Sequence, residues 1–73
     1  MQEVYRIIVK PYGYDHWDIF TEDKELFDSI RKLGNTDQVR AYLGADKWAD
    51  LVDSDFAIPP YVLLGETTIH HRD

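Results

Sequence analysis

The sequence predicts a small two-layer α+β domain: an N-terminal β-hairpin, two to three short helices, and a C-terminal strand or hairpin that joins the same antiparallel sheet. Three observations lead to this prediction. β-rich segments lie towards both ends of the chain, the middle has helical periodicity, and no shift in composition divides the 73 residues. We therefore expect a single domain, residues 1–73, built around one core.

The first β-rich segment, residues 3–10, predicts an interior strand. Its side chains are largely β-branched or aromatic, and strand alternation places Tyr5, Ile7 and Val9 on one face. The opposite face also carries apolar residues, beginning with Val4. Apolar side chains on both faces are typical of a strand inside a sheet.

The residues after this strand predict a turn and a second strand. Pro11 and Gly13 fit a tight turn, since proline presets φ and glycine accepts the left-handed conformation. The second strand is expected from about residue 14 to residue 20. Alternation directs Trp17 and Ile19 towards the core.

Thr21 is the expected N-cap of the first helix. Carboxylates follow it in the first turn, where they complement the helix dipole, and Gly34 supplies the C-terminal stop. The apolar residues recur at helical spacing and predict one buried stripe. The stripe comprises Leu26, Phe27, Ile30 and Leu33.

Two further helices are expected before the chain returns to the sheet. Asn35 and Thr36 cap a short helix over residues 37–43, and Gly44 closes it. A third helix begins at Asp46. At 100° per residue, its apolar side chains cluster on one side and three carboxylates stack on the other, forming an acidic ridge. The ridge consists of Asp46, Asp50 and Asp53.

The C-terminal segment predicts a return to the sheet. Pro59 and Pro60 cannot continue a helix, and the apolar residues 61–64 predict a buried strand. Gly65 and Glu66 fit a two-residue hairpin that leads into a last β segment over residues 67–70.

The negative charge lies in the middle of the chain. Residues 15–55 hold eleven carboxylates against five Lys and Arg side chains, which accounts for the whole net charge of −6. Such a field repels nucleic acid and anionic membranes and attracts basic protein surfaces. The alternative is that these acids only keep the protein soluble.

The residue types argue against catalysis and cofactors. The chain has no cysteine, which excludes disulfides, Cys-based zinc sites and thiol nucleophiles and fits a cytoplasmic location. The histidines lack metal-ligand spacing, and the glycines form no phosphate-binding loop. No membrane-spanning or secretory segment is evident. We expect a non-enzymatic protein without metal or cofactor.

Candidate partner-binding residues fall into three groups. The first is the acidic ridge, and the others are a second acidic cluster and an aromatic patch near the expected hairpin tip. Aromatic and carboxylate side chains together suit a protein interface, although a small core could instead cover the aromatic residues. The second cluster is Asp15, Asp18, Glu22 and Asp23, and the patch is Tyr12, Tyr14 and His16.

In size, negative charge and lack of a catalytic constellation, the chain resembles, as a class, the small inhibitors that bacteriophages encode against host nucleases, including anti-CRISPR proteins. The resemblance covers no motif. It implies a DNA-mimic inhibitor or regulator that occupies a basic surface of a nucleic-acid-handling enzyme, in an unspecified oligomeric state. The alternative is an accessory or structural subunit of a larger complex that docks through the aromatic sheet face with Tyr12, Tyr14 and Tyr61.

Overall fold

A computed structural model of the chain describes residues 1–11, 16–53 and 60–71. It confirms the α+β class: strands from both ends of the chain form one three-stranded sheet, and three helices lie between them in sequence. The elements in chain order are β1 (Gln2–Pro11), β2 (Trp17–Thr21), α1 (Lys24–Arg31), α2 (Thr36–Leu43), α3 (Ala45–Asp53) and β3 (Tyr61–His71).

β1 is the central strand, as its two apolar faces predict. The strand order is β2-β1-β3, and β2 pairs antiparallel with β1 through a register that places Ile7 opposite Ile19. Both of these side chains are buried. The expected tight turn at residues 10–13 extends beyond the described residues.

The sheet is mixed, which corrects the prediction of an antiparallel sheet. β3 runs parallel to β1, with Tyr61 opposite Gln2 and Ile69 opposite Val9. The helical segment returns the chain to the end of the sheet at which β1 begins, and a strand starting there must run in the direction of β1. The sequence pattern of a strand carries no signal for this direction.

The expected hairpin at Gly65 and Glu66 does not form, because β3 continues as one strand through both residues. Gly65 lies opposite Tyr5 in the ladder, and a Cβ built on Gly65 would lie 3.5 Å from ring atoms of Tyr5 and Phe27. The glycine therefore lies under a stacked aromatic pair, whose ring centroids are 4.8 Å apart. A Cβ at this position would make only ordinary van der Waals contact with these rings, and the residue lies within a strand rather than in a turn.

The first helix begins two residues later than expected. Asp23, not Thr21, is the N-cap of α1, and its carboxylate accepts a hydrogen bond of 3.1 Å from the backbone N–H of Leu26. Thr21 is buried at the end of β2, where its hydroxyl accepts a bond of 3.1 Å from the N–H of Asp23. The threonine thus supports the cap residue instead of being it.

The described helices pack against one face of the sheet, whereas the other face carries polar side chains and the buried Val4. The buried cluster joins β1 residues such as Ile7 to α1, α2 and α3 through Phe27, Ile30, Val39 and Leu51. The opposite face carries Arg6, which pairs in register with Phe20 of β2 and Glu66 of β3. The sheet therefore has an inner face towards the helices and an open face.

The C-terminal end of β3 is held by the start of α2. Asn35 caps α2 by accepting a bond of 3.0 Å from the N–H of Gln38, as predicted, and it forms an isolated bridge with His70. The buried Thr36 hydroxyl lies 3.0 Å from Nδ1 of His71, whose ring meets Trp17 edge-on. None of the described helices has the length and apolar character to cross a membrane.

Candidate functional site

The structure places two carboxylates of the acidic ridge on an exposed side of α3. Asp46 and Asp50 are exposed, whereas Leu51 of the same helix is buried, so the predicted amphipathic character of α3 is confirmed. Asp53 is the last residue of the helix, and its side chain is outside the described part. Within the described part, neither Asp46 nor Asp50 has an ion-pair partner.

Asp50 borders a groove between the three helices, which we call the helical groove. It has a volume of about 350 Å³ and opens to solvent. Three leucines, one from each helix, form its apolar lining, while Asp23 and Asp50 supply carboxylates and Lys47 one ammonium. Its lining residues are Asp23, Leu26, Leu43, Lys47, Asp50 and Leu51.

This arrangement suits a long basic side chain. An Arg or Lys side chain can lay its aliphatic stem on leucines and keep its charged head beside carboxylates. The groove thus combines Asp50 of the ridge with Asp23 of the second cluster, which sequence reasoning kept apart. The sequence did not indicate that Leu26 and Leu43 reach the surface. A stripe of apolar residues along a helix predicts burial, but it does not show where neighbouring helices separate and leave a groove.

The second acidic cluster is not one site. Asp18 lies on the open face of the sheet and accepts two hydrogen bonds of 3.1 Å, from Nε and Nη2 of Arg6. The guanidinium also lies 3.6 Å from Glu66 of β3, so one cation links carboxylates on both flanking strands. Asp18 is therefore neutralised within the protein and offers little attraction to a basic partner.

The two acids at the corner between β2 and α1 also have partners. Glu22 accepts a hydrogen bond of 3.1 Å from the side-chain amide of Gln2, and Asp23 is the N-cap of α1. Both side chains remain exposed. The carboxylate of Asp23 thus has a structural role in addition to its place in the helical groove. Asp15, the fourth member, lies outside the described residues.

Only one member of the predicted aromatic patch lies within the described part. His16 is exposed, and its Nε2 atom lies 3.9 Å from Asp18. Tyr12 and Tyr14 are outside the described residues. The open face nevertheless has an aromatic contact, because the rings of Phe20 and Tyr61 have centroids 5.4 Å apart.

The outer side of α1 carries a separate charged cluster. Lys24 donates a hydrogen bond of 2.9 Å to Asp28, and Arg31 lies 3.8 Å from the same carboxylate. The hydrogen bond from Lys24 lowers the pKa of Asp28 below its ordinary value and raises the pKa of Lys24. This compensated cluster has the structural role predicted by its helical spacing.

The start of β3 is exposed, which corrects the prediction of a buried strand at residues 61–64. Four successive apolar side chains there are 36–46% exposed. β3 is an edge strand, and at this corner the helices do not cover it. Periodicity missed this surface because an apolar run does not distinguish a central strand from an exposed edge. The exposed residues are Tyr61, Val62, Leu63 and Leu64, and we call them the apolar edge.

The described side chains include no group of three or more His, Asp or Glu that could hold a metal ion. His70 and His71 follow each other at the end of β3, and the ring of His71 is engaged by Trp17 and Thr36 on the inner side. In the part of the chain that the structure describes, the helical groove and the apolar edge are the surfaces that combine exposed apolar side chains with a defined shape. No protein-family model, curated protein or solved structure matches the chain.

Proposed function

We propose that this chain is a non-enzymatic protein-binding module whose helical groove takes a basic side chain from a partner protein. The observation that carries the proposal is the pairing of an apolar floor with the carboxylates of Asp23 and Asp50. Asp46 extends the negative surface along α3 from Asp50. A partner side chain would thus meet both apolar contact and opposite charge, a combination that protein interfaces use.

The same groove disfavours nucleic acid as the direct partner. Exposed carboxylates repel phosphates, and the chain as a whole has a net charge of −6. A basic protein surface is attracted by that field, and the attraction weakens with salt. The proposed location is the cytoplasm, in keeping with a sequence that contains no cysteine.

The partner class we propose is an enzyme that handles nucleic acid. Such enzymes expose Lys and Arg side chains that contact phosphates, and these are the side chains that the helical groove would accept. The chain would then act as a small inhibitor or regulator of the phage or anti-CRISPR type. Support comes from Asp46 and Asp50, which are exposed and have no ion pair among the described residues.

Affinity capture with matched variants tests this proposal. The tagged chain and its Asp46→Asn/Asp50→Asn variant are used to capture proteins from a lysate, and each capture is washed at low and then high salt. We expect a basic nucleic-acid enzyme to bind the unchanged chain, to be released by salt, and to be lost from the variant. The control, Glu25→Gln/Asp37→Asn, removes the same charge at exposed positions outside the groove and should retain the partner. Equal loss in both variants would indicate net charge alone and contradict the proposal.

A second candidate function is an accessory subunit that docks through the sheet, and the Phe20–Tyr61 contact on the open face favours it. On this hypothesis the acids only solubilise the chain. Tyr61→Ala would then reduce capture of a partner that survives high salt, whereas the Asp46→Asn/Asp50→Asn variant would keep it. These opposite responses separate the two functions.

A further inference from the structure

The two edges of the sheet differ in their protection against pairing with another strand. β2 is a short edge strand of five residues and carries the charged Asp18. β3 has eleven residues and no charged side chain from Tyr61 to Gly65. Natural sheets shield their edges with short strands and charges, so an unshielded apolar edge indicates a surface that another strand occupies.

The apolar edge has exposed side chains on both sides of the strand. Tyr61 and Leu63 lie opposite Gln2 and Val4 and share the open face, while the intervening Val62 points to the inner side. All of these β3 side chains are at least one third exposed. A strand added here would therefore bury apolar surface above and below its backbone.

Among the described residues, none pairs with the outer edge of β3 in its first half. Asn35 already forms a bridge with His70 at the other end, and a register shift between β1 and β3 makes Leu64 an extra residue in the ladder. The outward N–H and C=O groups of the first half form a row with the spacing of an extended strand. The occupant that matches this row is another β-strand.

We propose that this strand is β3 of a second copy of the chain, which adds antiparallel around a two-fold axis and makes one continuous sheet of two molecules. A two-fold axis perpendicular to the sheet keeps both open faces on the same side, so one residue must lie opposite itself. With Leu63 on the axis, Leu63 lies opposite itself and Val62 lies opposite Leu64 of the second copy. These pairings within the apolar edge are all apolar.

The distribution of charge favours a second copy at this edge over one at the helical layer. Two chains of net charge −6 repel each other wherever their acids meet. The sheet contributes little to that repulsion, because its strands hold three carboxylates against Arg6 and Lys10, a net charge of −1. The exposed Asp46 and Asp50 lie on α3, outside the proposed contact. Self-association through the apolar edge therefore brings together the least charged parts of two molecules.

The mass in solution tests the proposal with the full chain. Sedimentation equilibrium over a concentration series should give twice the chain mass of 8.6 kDa. Leu63→Lys would bring two ammonium groups face to face on the axis and should give the monomer mass with an unchanged far-ultraviolet spectrum. The control, Tyr42→Lys, alters an exposed aromatic residue on α2 and should remain dimeric. A monomeric unchanged chain at every concentration would overturn the proposal, as would a dimeric Leu63→Lys variant.

Disulfide trapping tests the register and does not depend on how well Leu63→Lys folds. The chain has no cysteine, so a single introduced thiol can react only with its copy. Facing residues of antiparallel strands have Cα atoms about 4.5–5.5 Å apart, within the range of a disulfide. Leu63→Cys should form a covalent dimer on mild oxidation, whereas Thr68→Cys, in the same strand but far from the axis, should not. Equal trapping at both positions, or none at residue 63, would refute the register. Either result leaves the proposal for the helical groove untouched.

Discussion

Arg6 holds Asp18 across the open face of the sheet through two hydrogen bonds of 3.1 Å, and its third nitrogen lies 3.6 Å from Glu66. The three side chains come from β1, β2 and β3 and thus link all the strands on the side that no helix covers. This contact also changes the role expected for Asp18. A carboxylate with a bidentate internal partner supports the sheet and is not free to mimic a phosphate.

Asp18→Asn should therefore weaken folding and leave partner capture unchanged. The bidentate pair is partly exposed, so we expect a loss of about 0.5–1 kcal/mol in the free energy of unfolding. Urea unfolding with and without added salt measures the loss and its screening. Glu3→Gln, which removes one exposed charge from β1, is the control. A variant that keeps full stability but loses the captured partner would indicate that Asp18 contacts the partner directly.

Asp23 combines two roles that substitutions can separate. Asp23→Ala removes both the N-cap bond to Leu26 and a carboxylate of the helical groove, and should cost about 1 kcal/mol of stability. Asp23→Asn keeps an oxygen for the cap and removes only the charge. We expect Asn to retain most of the stability and to weaken partner capture. Thermal unfolding and capture are measured on the same preparations, and equal destabilisation by Ala and Asn would contradict the cap assignment.

The two glycines Gly44 and Gly65 should respond oppositely to alanine. Gly44 has φ of +89°, where a Cβ is strained, so Gly44→Ala should cost about 1 kcal/mol. Gly65 has no positive φ, and its added Cβ would meet Tyr5 and Phe27 at ordinary contact distances of 3.5 Å. Gly65→Ala should thus be neutral or stabilise the strand by up to about 1 kcal/mol. Denaturant midpoints give both values, and strong destabilisation at residue 65 would favour the hairpin that the sequence predicts.

Acid should weaken the cluster on α1. The pKa of Asp28 is lowered in the folded chain by the hydrogen bond from Lys24, so its contribution to stability is present above the ordinary aspartate pKa of 3.8 and is lost as pH falls through the lower folded value. Asp28→Asn should flatten the acid side of the stability profile. The difference is small, since both groups are exposed, and it should shrink with salt. Melting curves from neutral pH to below pH 3.8, compared with Glu25→Gln, test this expectation.

The local elements could be predicted from the sequence because neighbouring residues determine them. Asn35 supplies a side-chain acceptor for the N–H of Gln38, and Gly44 accepts the left-handed turn that ends α2; both effects act within four residues. Alternation in β1 correctly assigned Ile7 and Val9 to the core. The α+β class follows from the order of these local elements.

The candidate site was predictable only in part. A sequence shows which residues are charged but not which charges an ion-pair partner neutralises in the fold. Asp46 and Asp50 are exposed as their helical spacing predicts. Asp18 looks equally available in the sequence, yet Arg6, twelve residues away, neutralises it. The N-cap was misplaced for a related reason, because burial at the end of β2 takes Thr21 out of the capping position.

The sequence by itself determined the three helices, the cap of α2 and the position of β1 at the centre of the sheet, since these depend on interactions between near neighbours and on hydrophobic periodicity. Only the tertiary structure decided the parallel direction of β3, the exposure of Leu63 at the sheet edge, and the position of Asp23 and Asp50 on the same helical groove. Each of these depends on which distant segments become neighbours. Hydrophobic burial, which favours those contacts, is not directional, so a local pattern of apolar residues does not specify which segments meet.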